Sequence, residues 1–109
     1  MIRNKIIIDP AEVSDDLLLR LADEITNPRS LSALGLSGKI PIQIHVVHNP
    51  ETPLPLLNIL AQRGSWEVRC EIAKQIRTPD ETLYKLTNDT NFEVRHSARH
   101  TLKKKGKTC

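Results

Sequence analysis

The chain has 109 residues, 39% hydrophobic and 27% charged, a length and balance that suit one globular domain and exclude a disordered segment. The formal net charge of +3 breaks down as −2 over 1–51, zero over 52–98 and +5 over 99–109, which excludes a basic binding face spread over the body. No run approaches the ~18 apolar residues of a membrane span, and the Ile6-Ile7-Ile8 patch, stopped by Asp9 and Pro10, is too short for a signal-peptide core.

Residues 1–13 lack helical spacing and are expected to form an extended cap or extension. From Ser14 to Ile25, Leu18, Leu21 and Ala22 share one helical face. Thr26 to Lys39, with its Gly-Leu-Ser-Gly stretch, predicts a helical turn plus a loop, an insertion within an irregular first repeat at 14–51. Ile40 to His48 predicts a second helix, with Pro41 tolerated in its first turn. Aromatics amount to 3%, so the core must be aliphatic, drawn from 14 Leu, 11 Ile and 5 Val.

The second half of the chain repeats. TPLPLLNILAQRGSWEVRCEIAKQIR (52–77) aligns without a gap on TPDETLYKLTNDTNFEVRHSARHTLK (78–103), with identities at Thr52/Thr78, Pro53/Pro79, Leu57/Leu83, Leu60/Leu86, Glu67/Glu93, Val68/Val94 and Arg69/Arg95. Each unit parses into two short helices. Thr78, Pro79 and Glu81 predict a capping box at the first, and Leu83 and Leu86 form its apolar face. The second carries Val68, Ile72 and Ile76, or Val94, Ala98 and Leu102, each an i, i+4, i+8 stripe. Ile42, Val46 and Pro50 lie 26 residues before Val68, Ile72 and Ile76, while Leu18, Leu21 and Ala22 match Leu57, Leu60 and Ala61 at an offset of 39. Helices this short take their stability from stacking on neighbours.

Thr-Pro, Leu-x-x-Leu-Ala, a polar turn and then Trp/Phe-Glu-Val-Arg resembles the leucine-rich repeat variant family, and more broadly HEAT-type repeats. The resemblance covers roughly Lys39 to Leu102 and is carried best by NPETPLPLLNILAQRGSWEVRCEIAKQI. It implies an all-α fold, a short right-handed α-solenoid of two-helix repeats, although the 26-residue period here exceeds the family's usual length of about 24. Some members carry an iron–sulfur cluster, which needs about four thiolates. Cys70 and Cys109 are the only cysteines here, so neither that cluster nor any other cofactor is expected. The same two separated cysteines offer no disulfide framework and point to a reducing, cytoplasmic compartment.

Arg69 and Arg95 stand at one repeat position, as do Trp66 and Phe92. The arginines read either as a row facing an acidic partner or phosphates, or as a structural ladder bonding carboxylates and helix-end carbonyls. The aromatics read either as a base-stacking row or as packing at the mouth of each second helix, with repetition favouring packing. Arg69, Arg95, Trp66 and Arg99 are the candidate partner-binding residues. Lys103, Lys104, Lys105 and Lys107 form the basic tail (103–109), an alternative site for weak, salt-dependent nucleic-acid binding, or the natural choice at a negative helix end. His96 with His100, and His45 with His48, share helix faces without completing a zinc set, so no metal is expected. No nucleotide-binding loop, nucleophile elbow or catalytic triad is present. The expectation is a non-catalytic module for a protein partner, with self-association through terminal repeats as a further option.

Overall fold

The computed structural model describes residues 14–107. Among them are helices α1 (Asp15–Glu24), α2 (Pro28–Ser37), α3 (Ile40–His48), α4 (Leu54–Arg63), α5 (Trp66–Ala73), α6 (Asp80–Leu86) and α7 (Phe92–Lys104), with no strand among the described residues. The chain is all-α over that range, and none of these helices is long and apolar enough to cross a membrane. The expected extension at 1–13, and Thr108 and Cys109 of the tail, lie outside the described residues.

Helix starts fall into two series. Pro28, Leu54 and Asp80 begin α2, α4 and α6, and Ile40, Trp66 and Phe92 begin α3, α5 and α7, each series spaced by 26 residues. The segment expected to be an insertion with a helical turn therefore holds a full ten-residue helix, α2. Asn27 caps it, its side-chain oxygen accepting from the N–H groups of Arg29 at 2.9 Å and Ser30 at 3.3 Å, and Pro28 occupies the first position. Gly35 gave this segment the look of a loop. It lies mid-helix because of close packing: a Cβ there would come within 3.0 Å of the Leu56 side chain and 3.4 Å of that of Val46.

Contacts divide the chain into two compact units, 1–56 and 57–109. In the first, α3 packs against both α1 and α2. Leu18 and Ala22 of α1, Leu31 and Leu34 of α2, and Ile42, Val46 and Val47 of α3 form its core. Asn49, itself buried, locks the end of α1 by donating to the carbonyls of Ala22 at 2.8 Å, Asp23 at 3.3 Å and Ile25 at 2.8 Å. These carbonyls are orphans of the helix end, so their capture removes a desolvation cost.

In the second unit α7 packs against both α5 and α6. Leu57 and Leu60 of α4, Val68 and Ile72 of α5, Leu83 and Leu86 of α6, and Val94, Ala98 and Leu102 of α7 are buried. Thr101 ties α7 to the end of α5, donating to the Ala73 carbonyl at 2.5 Å. α7 closes in a Schellman motif: Lys107 N–H bonds the Leu102 carbonyl at 2.8 Å, Gly106 N–H bonds that of Lys103 at 3.0 Å, and Gly106 takes the φ of 78° that the motif requires.

Two sequence expectations change. Thr78 does not cap the helix that follows it. Pro79 takes the cap position, and the buried Thr78 hydroxyl donates backwards to the Ile72 carbonyl at 2.8 Å, as Thr52 does to Val46 at 2.5 Å. The repeated threonine thus fastens the chain to the last turn of the helix before it. The Val68, Ile72, Ile76 stripe also ends early, because α5 stops at Ala73 and leaves Ile76 in a turn, 59% exposed.

Candidate functional site

The repeated arginines meet at one residue, Asp89, Arg69 at its carboxylate and Arg95 at its backbone carbonyl. Arg69, on the first turn of α5, grips Asp89 with two parallel bonds, Nε to Oδ2 at 2.8 Å and Nη2 to Oδ1 at 3.0 Å, and its Nη1 donates to the Gly64 carbonyl at 2.8 Å. Arg95, at the same phase on α7, donates to the Asp89 backbone carbonyl at 2.8 Å. Asp89 Oδ1 also accepts from Asn91 N–H at 2.9 Å, fixing the turn that launches α7. Burial pushes the Asp89 carboxyl up. The Arg69 bonds, the Asn91 N–H and the nearby charges of Arg69 and Arg95 outweigh that, holding it below the ordinary carboxylate value. The guanidinium of Arg69 is committed within the fold, with its side chain only 18% exposed.

Arg95 is less committed, and its guanidinium carbon lies 5.9 Å from the centre of the Phe92 ring. Phe92 is 66% exposed, stacked on His96 with ring centres 6.2 Å apart. Trp66, at the start of α5, is 41% exposed, so both aromatics keep a solvent-facing side. The reason lies in the helical phase. Each aromatic opens its helix two residues before the buried Val68 or Val94, about 200° round the axis, and so on the opposite side. Arg99 is exposed, with a single long bond of 3.3 Å from Nη2 to the Thr87 carbonyl.

The basic tail divides in two. Lys103 and Lys104 are exposed in the last turn of α7. Lys105 folds back onto α6, its Nζ 2.5 Å from Asp80 Oδ1 and 3.0 Å from the Thr78 carbonyl, and Lys107 Nζ lies 3.5 Å from Asp80 Oδ2. The Lys105 hydrogen bond, followed by the charges of Lys105 and Lys107, lowers the Asp80 carboxyl despite some desolvation. Two of the four lysines are therefore spent on a clamp from the end of α7 to the start of α6. The spacing Lys-Lys-Lys-Gly-Lys carried the signal for it, since a glycine closing a helix turns the next residue back.

Cys70 is a buried free thiol beside Ser97 (3.5 Å to Oγ) and the Glu93 carbonyl. His45 bonds Asp23 at 2.7 Å in the first unit, an exposed pair that the sequence did not reveal because 22 residues separate them. Among the described residues no three His, Cys, Asp or Glu side chains gather as a metal set. No protein-family model, curated protein or solved structure matches the chain, so the resemblance to helical repeats rests on its motif residues alone.

Proposed function

We propose that the chain is a non-catalytic helical-repeat module that binds a protein partner. In this reading it is a short right-handed α-solenoid of 26-residue helix pairs, α2–α3, α4–α5 and α6–α7, with α1 as the second helix of a preceding half-pair. Three features support the repeat. Helix starts are spaced evenly. Leu31, Leu57 and Leu83 are all buried at one phase, and Val46, Ile72 and Ala98 at another. Within the first unit α1 packs on α3, as α5 packs on α7 within the second. A cytoplasmic setting is part of the proposal, on the ground of the two separated cysteines.

One observation carries the binding reading. Ile40, Trp66 and Phe92 open the three second helices and are 38%, 41% and 66% exposed. The equivalent apolar positions two and six residues further on are buried without exception. Within the second unit, the exposed rings of Trp66 and Phe92 at equivalent helix starts fit a surface that a partner covers. The nucleic-acid alternative draws less support, since Lys105 and Lys107 pair with Asp80, leaving Lys103, Lys104 and Arg99 exposed without a carboxylate partner among the described residues.

A tagged full-length chain, used as bait in an extract of its host with and without nuclease, tests the proposal by mass spectrometry. One or two proteins should survive nuclease and be lost from the Trp66→Ser/Phe92→Ser variant. Recovery of nucleic acid, with every protein lost after nuclease, would overturn it.

A further inference from the structure

The outward face of α7 is chemically one-sided. Phe92, His96, Arg99 and Lys103 follow one another at i, i+4, i+7 and i+11, with His100 beside them, opposite the buried Val94, Ala98 and Leu102. The row runs for about 16 Å along the helix. It begins at the most exposed aromatic ring among the described residues and continues in basic side chains. The fold neutralises other cations nearby: Arg69 on Asp89, Lys85 on Glu81, and Lys105 and Lys107 on Asp80. Among the described residues Arg99, Lys103 and Lys104 have no carboxylate partner.

From this charge complementarity we infer that the α7 face binds an acidic peptide segment carrying an apolar anchor, the anchor seated on Phe92 and the carboxylates along Arg99 and Lys103. The inference rests on the protein-binding reading above and gives its partner a chemistry. A segment of about five extended residues matches the length of the row. The surroundings favour a peptide over a nucleic acid. Glu93 follows Phe92 and is exposed, so a base stacked on the ring would bring its phosphates beside a carboxylate. Two unpaired lysines and one arginine also release few counterions, too few for firm phosphate binding at ordinary salt. A peptide anchor draws on the ring directly, and its carboxylates bind beyond Glu93, where α7 carries no acid.

The test is selection of a displayed library of random dodecapeptides on the full chain, with a fluorescent single-stranded oligonucleotide as a parallel probe. Enriched peptides should pair an aromatic or leucine with several Asp or Glu. Their affinity should fall about tenfold in Arg99→Glu/Lys103→Glu, and by a similar factor in Phe92→Ser, with circular dichroism unchanged in both. Neutral or basic apolar peptides that still need Phe92 would overturn the acidic partner and leave the protein-binding reading standing. Acidic peptides indifferent to both variants would overturn the placement on α7. No enriched peptide, or oligonucleotide binding that Arg99→Glu/Lys103→Glu abolishes, would overturn both readings.

Discussion

Gln43 in the first unit and Arg69 in the second stand at the same phase of the 26-residue period, and both donate at 2.8 Å to a carbonyl near the end of the helix before them, Gly35 in the last turn of α2 and Gly64 just past α4. The need is shared: a carbonyl at the end of a first helix has lost its helical partner and must find another donor. The amide of Gln43 meets that need with a neutral bond. The guanidinium of Arg69 meets it with one nitrogen and has two left over, which take Asp89 from the turn before α7. At the helix ends both units use neutral donors, Asn49 for the carbonyls of Ala22, Asp23 and Ile25 around the end of α1, and Thr101 for that of Ala73 at the end of α5. One geometric requirement thus admits a neutral solution in one unit and a charged one in the other. The Arg69–Asp89 pair is therefore expected to make this contact in the second unit sensitive to acid, where the Gln43 contact is not.

The largest expected effects treat the units alike. Leu31→Ala and Leu83→Ala should each cost about 3 kcal/mol in denaturant unfolding, since both side chains are fully buried at one phase. A loss below about 1 kcal/mol for Leu31→Ala would remove α2 from the repeat.

The next prediction separates the units. Asp89→Asn should cost about 2 kcal/mol at neutral pH, because it leaves a partly buried guanidinium without its counter-charge, whereas Gln43→Ala should cost about 1 kcal/mol. The Asp89 carboxyl is held below its ordinary value in the folded state. Its contribution is therefore full above the unfolded carboxylate value of about 4 and fades as pH falls through the lower folded one. The gap between wild type and Asp89→Asn should close on acidification, and the gap for Gln43→Ala should not. Parallel pH series would sink the contrast if both gaps closed together.

The smallest effects test the repeated threonine. Thr52→Val and Thr78→Val should each lose about 1 kcal/mol, the worth of one buried hydroxyl bond. Equal losses would mark the backward brace as common to both units, and a loss at Thr78 alone would confine it to the second.

Much of this architecture is legible in the chain. Leu57/Leu83, Leu60/Leu86 and Val68/Val94 occupy buried positions because a two-helix unit has only a few inward phases and must fill them with apolar groups. Thr26, Leu31, Leu34 and Gly38 match Thr52, Leu57, Leu60 and Gly64 at the same offset, a third copy that the loop-like Gly-Leu-Ser-Gly stretch conceals. Local rules misled there, since Gly35 argues against a helix until Leu56 and Val46 are seen pressing on it. Trp66 and Phe92 misled in the opposite way. Repetition argued for packing, and the helical phase leaves part of Trp66 and most of Phe92 exposed.

What the sequence by itself determined is the helical class, the 26-residue beat and the identity of the inward-facing aliphatics, because each follows from spacing along the chain. What only the tertiary structure decided is the fate of the charges. Arg69 finds Asp89 20 residues away, and the Lys105 ammonium reaches the Thr78 carbonyl at a separation of 27 and Asp80 beside it. Arg99 and Lys103 reach no carboxylate among the described residues. A long polar side chain can satisfy itself with any partner inside its reach, so its role is fixed only once packing has set which groups lie there.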